Sequence, residues 1–136
     1  MTVKKIVRVI LADDHAVIRR GIRRILEKDS DILVIAEADS GTSAIQLVQE
    51  FRPDVLVLDI EMSDMRGDCV ARELRSIRFP VAILILSAFD NQQFIEEIMH
   101  LGVDGYLIKG VSPQKIRAAV HQVSERQNVP TNLIEP

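Results

Sequence analysis

Cysteine is nearly absent, Cys69 being the single one in 136 residues. That excludes an intrachain disulfide and a multi-cysteine metal site, and it suits a reducing compartment. A surplus of one sign of charge is missing too. Seventeen Lys and Arg face 20 Asp and Glu, a formal net charge of −3, so no global field points to nucleic acid or a membrane surface. Long apolar runs are also lacking. The N-terminal one, Ile6 to Leu11, is interrupted by Arg8 and runs straight into Asp13, too short for a signal-peptide core or a membrane span. The expectation is a soluble cytoplasmic protein. No internal repeat or low-complexity tract breaks the chain. What it does have is core material: 47% of its residues are hydrophobic. It fits one domain, of a size that buries roughly two-thirds of its unfolded surface.

Short β-rich runs alternate with longer stretches of helical spacing. The strand candidates are Ile6–Ala12, Ile32–Ala36, Val55–Asp59, Val81–Leu86 and Gly105–Ile108. Two of them lie in near-continuous apolar runs, "DVLVLDI" and "PVAILILSA", as parallel strands covered on both faces require. Helical stripes fall between: Ile18, Ile22 and Ile25; Ala44, Leu47, Val48 and Phe51; Phe94, Ile95, Ile98 and Leu101; Ile116, Ala119, Val120 and Val123. Ser112 before Pro113 reads as an N-cap and first helical position, and Asp90 with Gln93 as a capping box. Met65 to Ser76 carries the faintest helical pattern. Five alternations predict a doubly wound α/β domain with right-handed crossovers. The tail "QNVPTNLIEP" is polar, proline-flanked and without periodicity, a linker or frayed end.

Sheets of this kind bind ligands beyond the carboxyl ends of their strands. There the first strand delivers Asp13 and Asp14, the third Asp59, the fourth Ser87 and the fifth Lys109. Each has a plain reading when taken alone. Asp13 and Asp14 could cap a helix, Asp59 end a strand, Ser87 cap a loop, and Lys109 lie on the surface. Their convergence on one edge argues otherwise. Three clustered carboxylates need cations, and hard oxygen ligands suit Mg²⁺, with Mn²⁺ as an acceptable substitute. A carboxylate beside such an ion can attack a phosphoryl group to give an acyl phosphate, while metal and ammonium hold the transferring oxygens.

These residues carry a specific resemblance. "ILADDHAVIRRGIRRILE", "PDVLVLDIEM", "AILILSA" and "GVDGYLIKG" stand in the order and spacing of the receiver domain of two-component response regulators. The chain is similar to CheY-like domains, and closer to the NarL/FixJ group, over about residues 5 to 125. The resemblance implies a five-stranded parallel sheet of order 2-1-3-4-5 with five helices, flavodoxin-like. It divides the chain into a receiver domain at 1–125 and a tail or linker at 126–136. It implies that Asp59 accepts a phosphoryl group from a sensor histidine kinase. Asp14, Asp59 and the backbone carbonyl of Glu61 would ligate the metal, with Asp13 acting mainly through water. Ser87 and Lys109 would contact phosphoryl oxygens. Tyr106 stands where the family keeps an aromatic that swings inward as Ser87 moves, altering the surface of the fourth helix and last strands. Three departures stand out. Ser63 replaces a common proline in the loop after Asp59. Gly110 replaces a proline often in the cis form, removing the reason to expect a cis bond. Glu61 and Phe89 occupy positions that tune phosphoryl lifetime.

Other residues read as structural. His15 would open the first helix on the surface, and His100 and His121 would be solvated helix positions. Cys69 packs or is partly exposed. Arg19, Arg20, Arg23 and Arg24 form a solvated helix face, with a kinase or partner docking surface as the alternative. The leading function is a signalling switch that catalyses only its own phosphorylation and dephosphorylation. A haloacid-dehalogenase-like phosphatase would need D-x-D-x-[TV], where Glu61 and Ser63 stand instead. A receiver-like module that works alone or never meets phosphate is the other alternative. The NarL-like group typically carries a C-terminal DNA-binding domain, to which "VPTNLIEP" could lead. These 136 residues offer no basic recognition helix of their own. A phosphorylation-linked homodimer is the remaining partner expectation.

Overall fold

A computed structural model describes residues 5–126; the expected tail from 127 onward lies outside them. The elements alternate without exception: β1 (Val7–Ala12), α1 (Ala16–Glu27), β2 (Ile32–Ala38), α2 (Gly41–Phe51), β3 (Val55–Leu58), α3 (Gly67–Ser76), β4 (Ala82–Ser87), α4 (Gln92–His100), β5 (Gly105–Ile108) and α5 (Pro113–Arg126). The five strands are parallel in the order β2-β1-β3-β4-β5.

The apolar runs are continuous because both faces of the sheet are covered. Neighbouring strand residues point to opposite faces, and each face has its own core. Ile10, Leu56, Leu58, Ile83 and Ile85 pack with Ala44, Val48, Val70, Leu74 and Ile98, beneath α2, α3 and α4. Val9, Leu11, Val57, Leu84 and Leu86 pack with Ile22, Leu26, Ile116, Val120 and Val123, beneath α1 and α5.

Several local expectations are corrected. β2 runs on to Ala38, and β3 stops at Leu58, leaving Asp59 just beyond it. In α1 the fully buried position is Leu26, while Ile18 is 40% exposed. The faintest helix pattern does form a helix, α3. The cap of α4 is Asn91 rather than Asp90. Its backbone is the extended one an N-cap requires, and its side chain accepts from Phe94 N–H at 2.9 Å. Ser112 does cap α5, accepting from Lys115 N–H at 3.3 Å. No cis peptide bond occurs among the described residues.

The strand order reverses between β1 and β3, which are direct neighbours. Ala12 pairs with Leu58, Leu58 with Ile85, and Ile85 with Tyr106. The strands therefore end nearly level, and whatever follows each is delivered to one edge.

Candidate functional site: an acid pocket closed by a lysine

Asp13 and Asp59 leave the two central strands side by side, Asp59 N–H donating to Ala12 O at 3.0 Å. Both side chains are almost fully buried, at 1% and 3% exposure. Lys109 reaches them from the end of β5, where its own N–H donates to Ser87 O at 2.8 Å. Its Nζ donates to Asp13 Oδ2 at 2.9 Å and to Asp59 Oδ2 at 3.2 Å. Burial pulls the ammonium's pKa down, but the bond to Asp13 and the charges of Asp59 and Asp13 outweigh it, leaving the pKa raised. Lys109 is a cation held by two acids.

Asp14 completes the group. Its Oδ2 accepts from Ser63 N–H at 3.2 Å, while its Oδ1 is buried and accepts no hydrogen bond. His15 Nδ1 lies 3.0 Å from that Oδ1 and 3.2 Å from Asp13 Oδ1. Asp13 Oδ1 also accepts from His15 N–H at 2.8 Å, which starts α1. Three carboxylates and one ammonium leave two negative charges to balance. Ligand atoms of Asp13, Asp14, His15 and Asp59 all lie within 4.8 Å of one another. A hard divalent cation fits this donor set, and the buried oxygen of Asp14 that accepts no hydrogen bond is the atom that most needs one.

Ser87 ends β4 and Tyr106 lies in β5. Ser87 is fully buried and its Oγ accepts from Phe89 N–H at 3.2 Å. Tyr106 is turned inward, its hydroxyl donating to Phe89 O at 2.6 Å. Glu61 N–H makes a long contact of 3.4 Å to Asp59 Oδ1, and the Glu61 side chain is exposed.

The structure thus brings Asp13, Asp59 and Lys109 into direct contact and gathers Asp14 within 4.8 Å of the two acids, with Ser87 and Tyr106 on the neighbouring strands. It also adds what the sequence reading passed over. His15 starts α1 on the surface as expected, and it also stands at the rim of the pocket with Nδ1 beside Asp13 and Asp14, a second role for which its adjacency to two acids was the available signal. His121 is not simply solvated, since its Nε2 lies 2.9 Å from Asp29 Oδ2, whereas His100 is exposed. Two of the four arginines of α1 are pinned rather than free: Arg19 Nε and Arg23 Nη1 donate to Glu37 at 2.8 and 2.6 Å. Cys69 is exposed.

A level-ended 2-1-3-4-5 sheet with an acid pocket at its switch point defines the CheY-like receiver class. The signal receiver domain of the response regulator NarL from Mycobacterium tuberculosis superposes with a TM-score of 0.86 at 34% identity, covering 89% of this chain and 98% of that one. A DNA-binding response regulator of the LuxR family from Staphylococcus aureus gives 0.83 at 27% identity, covering 88% and 99%. The oxygen regulatory protein NreC of Staphylococcus epidermidis is 38% identical over 117 residues, 85% of this chain and 54% of that protein. The transcriptional regulatory protein DegU of Brevibacillus brevis is 32% identical over 120 residues, 88% and 50%. The chain spans about half the length of these curated relatives. The profile of the response regulator receiver domain matches residues 9–121, and the chain belongs to that family. It is a signalling domain of two-component systems, homologous to the NarL and DegU type of regulator.

Proposed function

We propose that Asp59 is the phosphoacceptor of this receiver, charged by a sensor histidine kinase, and that residues 1–125 form the working unit. The observation that carries this reading is the double contact of Lys109 with the buried acids Asp13 and Asp59. A carboxylate oxygen of Asp59 attacks phosphorus as the P–N bond to the kinase histidine breaks. That imidazole nitrogen keeps the electron pair and takes up a proton. Lys109, already charged, moves its hydrogen bonds from Asp59 to the incoming oxygens. The Ser87 hydroxyl donates to another.

Asp14, Asp59 and the Glu61 carbonyl would hold Mg²⁺ or Mn²⁺, with Asp13 acting through water, and the ion would supply positive charge to the transferring oxygens. Asp14 Oδ1, buried without a hydrogen bond, supports that assignment. Ser87 and Tyr106 form the switch. A phosphoryl group that draws the Ser87 hydroxyl to itself weakens the link through Phe89 to Tyr106, biasing the surface of α4 and β5.

In the cytoplasm this change would act on a DNA-binding output domain, a reading supported by the similarity to the DNA-binding LuxR-family regulator of Staphylococcus aureus. It would also act through a homodimer that buries part of the α1 and α5 or the α4 and α5 surfaces. No described helix is long and apolar enough to cross a membrane. The test is incubation with Mg²⁺ and a small acyl phosphate, read by intact mass. One phosphoryl group is gained by the wild type and none by D59N. A phosphoryl group that persists in D59N defeats the reading.

A further inference from the structure

The loop from Ile60 to Arg66 follows Asp59 and borders the acid group through Ser63. It closes on itself, Gly67 N–H donating to Ile60 O at 2.9 Å, and from it Ser63 N–H reaches Asp14 Oδ2. A serine at 63 makes that bond available, because proline has no N–H to give.

The loop is fastened sideways to α2. Asp64 Oδ1 accepts from Gly41 N–H at 2.8 Å; its Oδ2 accepts from Thr42 N–H at 3.0 Å and from Thr42 Oγ1 at 2.8 Å. The first amides of any helix lack partners within it. Ser40, the cap of α2, uses its own side chain on Ser43 N–H at 3.0 Å. The Gly41 and Thr42 amides are therefore satisfied from outside the helix, by Asp64. These bonds hold the Asp64 carboxyl down to about 2. The approach is close as well. A Cβ at Gly41 would stand 2.7 Å from Met65 Cβ and from the Met65 carbonyl oxygen.

We propose that Asp64 is a positioning residue for the acid pocket. By gripping the first turn of α2 it sets the loop at the height where the Ser63 amide takes Asp14 Oδ2 and turns Oδ1, with His15 Nδ1 3.0 Å away, toward the place of a divalent cation. The inference rests on the metal role assigned to Asp14 above. Asp64 touches neither the cation nor phosphate, and it acts through Ser63. Groups that orient a ligand in this way commonly govern metal affinity by about tenfold or more.

Two measurements test it: Mn²⁺ affinity from the free-ion paramagnetic resonance signal, and hydrogen exchange of the Ser63 amide by NMR in metal-free protein. D64A weakens Mn²⁺ binding by about tenfold and speeds Ser63 exchange by about tenfold. D64N keeps one oxygen acceptor, enough for Gly41 N–H, but sets an NH2 group against Thr42 N–H, and falls between wild type and D64A in both. Unchanged values in D64A overturn the proposal. So does a loss of Mn²⁺ affinity in D64A with Ser63 exchange unchanged, which would trace the effect to charge rather than position. T42V, which removes one of the three bonds at an exposed site, decides the matter if D64A does not fold. Faster Ser63 exchange then supports the clasp and unchanged exchange overturns it. Wild-type protein that binds no Mn²⁺ defeats the metal assignment to Asp14, while Ser63 exchange still decides whether Asp64 holds that amide.

Discussion

The Tyr106 hydroxyl and the Phe89 carbonyl are joined by a 2.6 Å hydrogen bond that ties β5 to the loop after β4. Phe89 N–H in turn donates to Ser87 Oγ. The phenol, the loop backbone and the hydroxyl ending β4 are therefore one connected chain. A change at Ser87 has a short, hydrogen-bonded route to the aromatic ring.

That setting makes the phenol a poor acid. Burial pushes the Tyr106 hydroxyl up to about 12, the Ser87 side chain opposing and the Asp59 charge adding to it. It is the single tyrosine of the chain, so its phenolate absorbance can be followed alone. The folded protein should show it only near pH 12, and the unfolded chain near pH 10. An acid whose pKa is raised on folding stabilises the fold below its unfolded value, and that stability is lost as pH rises through the folded one. Stability should accordingly decline from about pH 10 upward. A folded-state midpoint close to 10 would contradict the buried, bonded geometry.

Gly67 starts α3 hard against the backbone of Asp59. A Cβ there would sit 2.2 Å from the Asp59 carbonyl oxygen and 2.9 Å from Ile60 Cα. Both neighbours are backbone atoms and cannot swing aside. G67A should cost about 2 kcal/mol or more in urea unfolding. Among molecules that remain folded, it should slow phosphoryl uptake from a small acyl phosphate by about tenfold, because Asp59 must shift. Unaltered stability would show that the helix start can slide without penalty.

At the far side of the sheet, Asp104 joins four segments. Its Oδ2 accepts from Ile83 N–H at 2.8 Å and from Arg75 Nη2 at 3.0 Å. Its carbonyl accepts from Arg126 Nη1 at 3.0 Å, and Arg75 Nε donates to Gly102 O at 2.8 Å. Burial raises the Asp104 pKa against the pull of Ile83 N–H and Arg75, and the same burial lowers that of Arg75. Removing one partner strands the other without its counter-charge. D104A should destabilise by about 3 kcal/mol in denaturant titration. The double variant R75M/D104A should lose less than the sum of its single changes. Strict additivity would refute the coupling.

Glu37 accounts for part of the acid sensitivity. The hydrogen bond from Arg23 holds its pKa below the usual 4.5, burial opposes, and Arg19 adds a second bond. A carboxylate depressed on folding stabilises the protein above its unfolded pKa, and that contribution fades as pH falls through the folded one. E37Q should therefore flatten the thermal-melting curve below about pH 4.5 and leave its shape above pH 6 unchanged. A variant with the same acid limb as wild type would show the pairing to be idle.

Much of this architecture was readable from the chain because the two periodicities differ so plainly. "DVLVLDI" and "AILILS" cannot be amphipathic helices, and a run apolar at every position demands cover on both faces. Asp13, Asp59, Ser87 and Lys109 were legible for a related reason, each standing where an apolar run stops. What escaped were pairings between residues distant in sequence. Glu37 with Arg19 and Arg23, Asp104 with Arg75, and Asp64 with the start of α2 are contacts fixed by tertiary packing. No local spacing advertises them. Boundaries were missed for a local reason, as with Asn91 in place of Asp90, where two adjacent residues can both cap and the backbone turn decides.

The division of the core has one further consequence. Val57 belongs to the layer under α1 and α5, while Leu56 and Leu58 belong to the layer under the other three helices. The short strand that leads into Asp59 is thus a wedge between two separately packed halves. Any displacement of it disturbs both at once. A molecule docked on one half and another docked on the opposite half would feel each other through that wedge, and thermodynamic linkage makes the influence equal in both directions.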